Sequence, residues 1–286
     1  MFLDRIEGFG ALAILINIYC FIKRGCRVIL DVHRFGIAGS NDEFIVMKKI
    51  LLAFVLLMFS MTTVMSYAKG PNKLTRKEKK AGWVLLFNGK DFSGWRQCNG
   101  KKMAENWEIE DDAMKVYRME GQKSSGDILF GDKQFKDFEL SIDWKVSEGA
   151  NSGIFYYIRE EPGKPIYYAA PEVQVLDNVK AGDNKIKSHL AGSLYDMLPA
   201  DPATVKPTGE WNTIVIRVKD GKATHVQNGT KVCEYTLWTD EWDNLIQNSK
   251  FKNFKGFTDG ISRQGYIGLQ DHGCTVWYRN IKIREL

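Results

Sequence analysis

The sequence predicts an all-β protein of two packed antiparallel sheets with one short helical insertion. Three observations carry that expectation. Phe138–Trp144 and Thr213–Val218 alternate with a period of two, and Val173 and Val175 alternate with Glu172 and Gln174; strands with one face on a core read this way. Asp220-Gly221 and Asn228-Gly229 signal hairpins, because both central residues of a type I′ turn need φ > 0. Strands nowhere alternate with long helical patterns, and neither GxGxxG, GxxxxGK[ST] nor a repeat of roughly 20–50 residues is present.

In chain order, residues 1–46 hold an apolar run from Phe9 to Ile22, followed by Lys23 and Arg24. Met47-Lys48-Lys49, ten apolar residues from Ile50 to Phe59 and the ending Ser66-Tyr67-Ala68 then form the basic, apolar and small-residue pattern of a secretory signal peptide. That run is short of the roughly 20 residues of a bilayer span, and a buried core helix is its other reading. A signal peptide acts from a free N-terminus. Translation is therefore expected at Met47, with 1–46 a miscalled upstream extension; a membrane anchor at 9–22 is the rival. The 47–68 segment implies a periplasmic or secreted protein. Residues 69–80 read as a solvated basic linker, and 81–286 as a single β-sandwich catalytic domain.

Within that domain, Asn151-Ser152-Gly153 reads as a turn opening an apolar strand that ends at Arg159. Trp211–Lys219, Lys222–Gln227 and Thr230–Tyr235 read as a three-stranded meander, and Gly265–Gln270 and Thr275–Ile283 as two more strands. Only Glu241–Lys250 reads as a helix. Thr239 or Asp240 can cap it, and Trp242, Leu245, Ile246 and Ser249 share a face.

Composition narrows the function. A chain that is 44% hydrophobic is neither disordered nor collagen-like. A net charge of +5 is too slight for a dedicated nucleic-acid binder. Cys98, Cys233 and Cys274 are too widely spaced for a metal finger, and isolated thiols or one disulfide remain open. His189, His225 and His272 form no local zinc motif, so a divalent metal is neither shown nor excluded. No Gly-x-Ser-x-Gly elbow occurs, which disfavours nucleophilic serine catalysis.

Eight Trp, and nine Tyr after Ala68, suit either core packing or stacking on sugar rings. Tyr156-Tyr157 and Tyr167-Tyr168 are the better candidates for exposure. On a strand, Glu172 and Gln174 share the face opposite Val173 and Val175; they line either a solvated surface or a groove. Arg159, at a strand end, can clamp an anion or a carbonyl oxygen. His272, in Gly268-Leu269-Gln270-Asp271-His272-Gly273, is either a structural or a functional histidine.

Gly82-Trp83-x-x-Leu86-Phe87-Asn88-Gly89-Lys90 with Gly94-Trp95 resembles the opening of the 3-keto-disaccharide hydrolase family. The resemblance continues through Asp137–Leu140, Asn151–Phe155, Glu172–Asp177, Ala191–Tyr195, Lys206–Asn212, Asn228-Gly229, Ile267–Gly273 and Arg279–Ile281. It implies a concanavalin A-like jelly roll and a secreted or periplasmic enzyme, of a kind at home in Bacteroidota, that cleaves glycosides already oxidised at C3. The partner it implies is an oxidised disaccharide or glycoside, with a sugar 3-dehydrogenase upstream.

The chemistry then asks for a base near C2, donors to the C3 oxygen and an acid for the leaving group. Glu172 and His272 are the candidates for base and acid. Asn151, Arg159, Gln174 and Lys206 are candidates to hold the ketone and hydroxyls, with Asp177, Tyr195 and His225 in support; a divalent metal could polarise the ketone. An ordinary glycosidase would instead need two carboxyls about 5–5.5 or 6.5–9.5 Å apart, and Glu172 and Asp177 differ in strand parity. A non-catalytic carbohydrate-binding module is the third reading.

Overall fold

The computed structural model describes residues 70–120 and 126–286. The expectations for 1–46 and 47–68 lie outside the described residues. Thirteen strands form among those described: β1 Val84–Leu85, β2 Trp95–Gln97, β3 Trp107–Glu110, β4 Ala113–Val116, β5 Ile128–Phe135, β6 Phe138–Val146, β7 Asn151–Ile158, β8 Glu172–Leu176, β9 Asn212–Lys219, β10 Lys222–Gln227, β11 Thr230–Thr236, β12 Gly265–Leu269 and β13 Val276–Glu285. A large sheet has the order β11-β10-β9-β6-β13-β4-β3 with β1 also on β13, and a small sheet the order β2-β5-β12-β7-β8. The described pairings are antiparallel. The protein is the two-sheet antiparallel sandwich that its periodicity predicts, and the jelly roll that the resemblance implies.

Alternation places the core. Leu140, Ile142 and Trp144 of β6, Ile214, Ile216 and Val218 of β9, and Val276, Tyr278, Ile281 and Ile283 of β13 face inward from the large sheet. Ile128, Ile154, Tyr156, Val173, Val175, Ile267 and Leu269 meet them from the small one. Each such side chain contributes about 1.5–3 kcal/mol by leaving water. Both hairpins take the expected conformation, with φ of 49° and 80° at Asp220 and Gly221 and 49° and 88° at Asn228 and Gly229.

The predicted helix forms as α2, Asp240–Gln247, after α1 at Arg76–Lys80, and a third, α3, follows at Lys255–Thr258. Thr239 accepts from the Trp242 N–H at the start of α2, and Trp242 and Ile246 are buried. Trp242 stacks between Tyr235 and Phe257, and Phe257 on Phe251, so α2, α3 and the 3-10 turn Lys250–Asn253 form one aromatic layer.

Several expectations change. In the 69–80 segment, a Thr75–Glu78 capping box holds α1, which buries no residue, while Asn72 exchanges hydrogen bonds with Asn280 at 2.6 and 2.8 Å. That end is solvated but pinned to the sandwich. Asn151-Ser152-Gly153 is the start of β7, not a turn: the Ser152 hydroxyl, turned inward, donates to the Gln270 carbonyl and accepts from Tyr278. Tyr156 and Tyr157 are buried rather than exposed. Tyr157 takes φ 57°, which turns its ring onto Trp238 in the core and leaves Ile158 on the opposite face. Cys98, Cys233 and Cys274 are free thiols.

Candidate active site

The outer face of the small sheet is covered. Residues 159–171 fold back across it, and Ile166 and Ala170 pack on Leu129, Phe155 and Ile158. Arg96 fixes this flap through a two-pronged pair with Glu160 at 2.7 and 2.6 Å, and Asn99 donates to the Lys164 carbonyl at 2.9 Å. Glu172 and Gln174, whose parity is as predicted, share this face in a buried cleft rather than on a solvated surface.

Gly153 is the floor of that cleft. It pairs with Gln174 on β8, and Phe155 with Glu172. On its other side the Gln270 N–H donates to the Gly153 carbonyl at 2.9 Å; because Leu269 takes the core, Gln270 faces outward. The Glu172 carboxyl folds over the space left by the missing side chain: a Cβ on Gly153 would stand 2.4 Å from Glu172 Oε1. Asn151 lies two residues along the same face.

Around this floor the buried polar atoms are unpaired. Among the described residues, Asn151 Oδ1, Gln174 Oε1 and Nε2, and Gln270 Oε1 have no hydrogen-bond partner. Buried groups are nearly always satisfied, and leaving one unsatisfied costs about 1–3 kcal/mol. Four such atoms in one patch offer donors and acceptors for the hydroxyl and carbonyl groups of a ligand. Glu172 is 5% exposed. Burial pushes its carboxyl up to about 8, the nearby charges of Asp127 and Asp183 push the same way, and the Lys250 cation opposes them.

Asp127 precedes β5, accepts from the Asp271 N–H at 2.9 Å and is raised to about 7 by burial, with the Asp271 charge adding to the rise and backbone donors from Asp271 and Ile166 opposing it. His189 lies between two carboxylates, its ring nitrogens 2.7 and 2.8 Å from Asp183 and Asp196. The ring also stacks on Tyr195 at 4.3 Å. Among the described residues no three His, Cys, Asp or Glu side chains are grouped to hold a metal ion.

The expected site residues divide. Glu172, Gln174 and Asn151 converge. Tyr195 borders them, its N–H donating to the Glu172 carbonyl and its hydroxyl to Asp183 at 2.9 Å. Asp177 is buried but closes a loop: burial would raise it, yet the N–H groups of Gly149, Val179 and Lys180 hold it low.

Arg159 is exposed and paired with Glu161 at 2.7 Å; it stands four residues, about 13 Å, along the chain from Phe155. Lys206 is exposed and donates to the Trp211 carbonyl. His225 is sealed in the core, hydrogen-bonded to the Gly192 carbonyl and the Tyr235 hydroxyl, and burial pushes it down to about 4. Those three are not brought to the cleft. His272 is exposed in the loop after β12, where the neighbouring Asp271 is the anchored group, accepting from Asn106 and Gly126. Sequence reasoning missed Gln270, which sat in the motif singled out for His272, and Asp127, Asp183, His189 and Lys250, which carry no periodic signal.

Comparison with known proteins follows the same boundaries. Residues 82–284 match the family described as the 3-keto-alpha-glucoside-1,2-lyase-like domain. A 3-keto-disaccharide hydrolase of Bacteroides thetaiotaomicron is 42% identical over 229 residues, which cover 72% of this chain and 79% of that protein. A crystal structure from Parabacteroides distasonis, provisionally described as a glycosyl hydrolase, superposes with a TM-score of 0.68 at 32% identity, covering 76% of this chain and 100% of that one. A second from the same organism, with the same provisional description, gives 0.57 at 26% identity, covering 71% and 99%. Since the family match takes in both sheets and the whole of the described cleft, the chain belongs to the 3-keto-alpha-glucoside-1,2-lyase-like family and is an enzyme that cleaves glycosidic bonds.

Proposed function

We propose that this enzyme hydrolyses glycosides whose sugar is a ketone at C3, by elimination and then hydration, with Glu172 as the base. One observation carries the reading: a single buried carboxyl raised to about 8 stands over a glycine floor ringed by unpaired amides. A C3 ketone acidifies the C2 hydrogen. Ionised Glu172 takes that proton, the C–H electrons become a C2=C3 bond, and the carbonyl electrons move onto the C3 oxygen. The enolate then collapses, forming C1=C2 and expelling the C1 oxygen, which leaves with a proton; water adds across C1=C2. A carboxylate of raised pKa is a stronger base than an ordinary one, and a value near the working pH suits general-base catalysis. The amides of Asn151, Gln174 and Gln270 fit the substrate's hydroxyls.

The reading includes an oxidation upstream, by a sugar 3-dehydrogenase, because the C3 ketone must be made before this enzyme acts. The signal-peptide pattern of 47–68 supports action in the periplasm or outside the cell. An ordinary glycosidase would draw its second carboxylate from Asp127 or Asp183, since Asp177 is committed to backbone amides.

Aglycone release from a 3-keto-glucoside and from its unoxidised parent tests the proposal. Release from the ketone alone is expected; release from the parent makes it an ordinary glycosidase, and release from neither removes the reading. Glu172→Gln should lower kcat at least about 100-fold. In the wild type kcat/KM should rise with pH through a midpoint near 8, because the base works only when ionised; a fall over that interval would make Glu172 the acid.

A further inference from the structure

Lys250 closes a ring of contacts that joins three separate segments. Its backbone N–H donates to Asp196 Oδ2 at 2.6 Å. Asp196 Oδ1 meets His189 Nε2, His189 Nδ1 meets Asp183 Oδ1, and Asp183 Oδ2 accepts from the Tyr195 hydroxyl. The Lys250 ammonium then returns to the Tyr195 ring, 4.2 Å from its centroid, with the Phe251 and Tyr167 rings at 5.3 and 5.9 Å. Phe251, next in the chain, is buried in the aromatic layer, so the backbone that carries Lys250 is anchored on both sides. Lys250 is exposed, takes part in none of the ion pairs found among the described residues, and its charge acts on Glu172. An exposed cation whose backbone is anchored on both sides, outside the ion pairs of the described residues and acting on a buried base, can answer charge that develops during reaction.

We propose that Lys250 is a catalytic residue whose ammonium stabilises the negative C3 oxygen formed when the C2 proton leaves. The proposal rests on the 3-keto-glycoside reading above. In that step Glu172 gains a proton and loses its charge, while the C3 oxygen gains one. Negative charge therefore moves from one neighbour of Lys250 to another, and no ion has to be separated or solvated. Preorganised charge of this kind is among the largest contributions to catalysis.

Lys250→Met, which keeps the length and removes the charge, should lower kcat about 100-fold or more with a much smaller change in KM; Lys250→Arg should recover part of the loss. A structural role would not predict the second readout. The Glu172 carboxyl, followed by ¹³C NMR in the free protein, should titrate at higher pH in Lys250→Met, because the other charges that act on it, Asp127 and Asp183, are negative. A kcat within about threefold of wild type, together with an unmoved Glu172 midpoint, would overturn the assignment. A wild type inactive on every 3-keto-glycoside would remove the substrate reading and this role with it. The substrate-free titration would still report whether the cation stands beside Glu172, so the two failures are distinguishable.

Discussion

On the outer face of the large sheet, Trp277 donates to Glu110, which also takes the Lys115 ammonium at 2.6 Å, and the Arg279 guanidinium lies 3.9 Å from the Trp211 ring centroid and 3.8 Å from Asp143. Lys145 sits over Trp277, and Arg284 meets Glu139. Charge answers charge there and the rings are covered by cations, although the Nε atoms of Arg279 and Arg284 are buried without a hydrogen-bond partner among the described residues. On the outer face of the small sheet Asn151, Gln174 and Gln270 keep unpaired atoms in a covered cleft, around a carboxyl that burial has raised. Two faces of one sandwich thus differ in what surrounds their polar groups: opposite charges and rings on one, neutral amides and a raised carboxyl on the other. Groups answered by opposite charge hold a surface. Desolvated amides left unpaired cost stability, and a ligand that completes their bonding would offset that cost.

The sharpest way to break this comparison is to fill the floor of the cleft. A methyl group added at Gly153 would fall 2.4 Å from Glu172 Oε1 and 2.9 Å from both Cδ and Cγ. The obstructing atoms are the end of one flexible side chain, so Glu172 swings aside and the strand is undisturbed. Gly153→Ala should therefore melt within about 3 °C of wild type, while kcat/KM falls about 100-fold, since displacing a catalytic group by an ångström costs that much. Retained activity would mean that Glu172 does not work from this position. A second substitution separates cost from use. Gln174→Leu removes two unpaired buried atoms and should raise the melting temperature by roughly 2–4 °C, the value of about 1 kcal/mol in a domain of this size. It should also lower kcat/KM about tenfold through KM. An unchanged KM would show that Gln174 does not meet the substrate.

How far this was legible in the sequence follows from the range of each cause. Alternation is local, so Glu172 and Gln174 were assigned to one face and Val173 and Val175 to the other. Whether that face is wet depends on residues 159–171 folding over Phe155 and Leu129, a contact between distant segments with no periodic trace. Arg159 misled because the strand is read as straight, whereas the positive φ at Tyr157 exchanges the faces just before it. In Gln270-Asp271-His272 the fold separates three neighbours: His272 is exposed, parity after Leu269 turns Gln270 into the cleft, and Asp271 anchors the loop. His189 and Lys250 are 61 positions apart in number, and only the fold makes them neighbours.

The smallest expected effect tests the other half of the comparison. Arg279 follows the inward-facing Tyr278, and the positive φ of Asn280 lets Ile281 return to the core, so the guanidinium stays on the outer face of the large sheet. It covers Trp211 and lies near Asp143, but Asp143 keeps the Thr213 hydroxyl at 2.7 Å and the Asn280 amide at 2.6 Å without it. A partly exposed cation over a ring is worth about 0.5–1 kcal/mol, and an exposed ion pair no more than that. Arg279→Ala should therefore lower the melting temperature by no more than about 8 °C and leave kcat/KM within about twofold of wild type. Since every partner of Arg279 is otherwise satisfied, its loss leaves nothing unpaired to relay. A tenfold loss of activity would show that the two outer faces are coupled through the core, and that ion-paired groups serve the reaction as directly as the unpaired amides do.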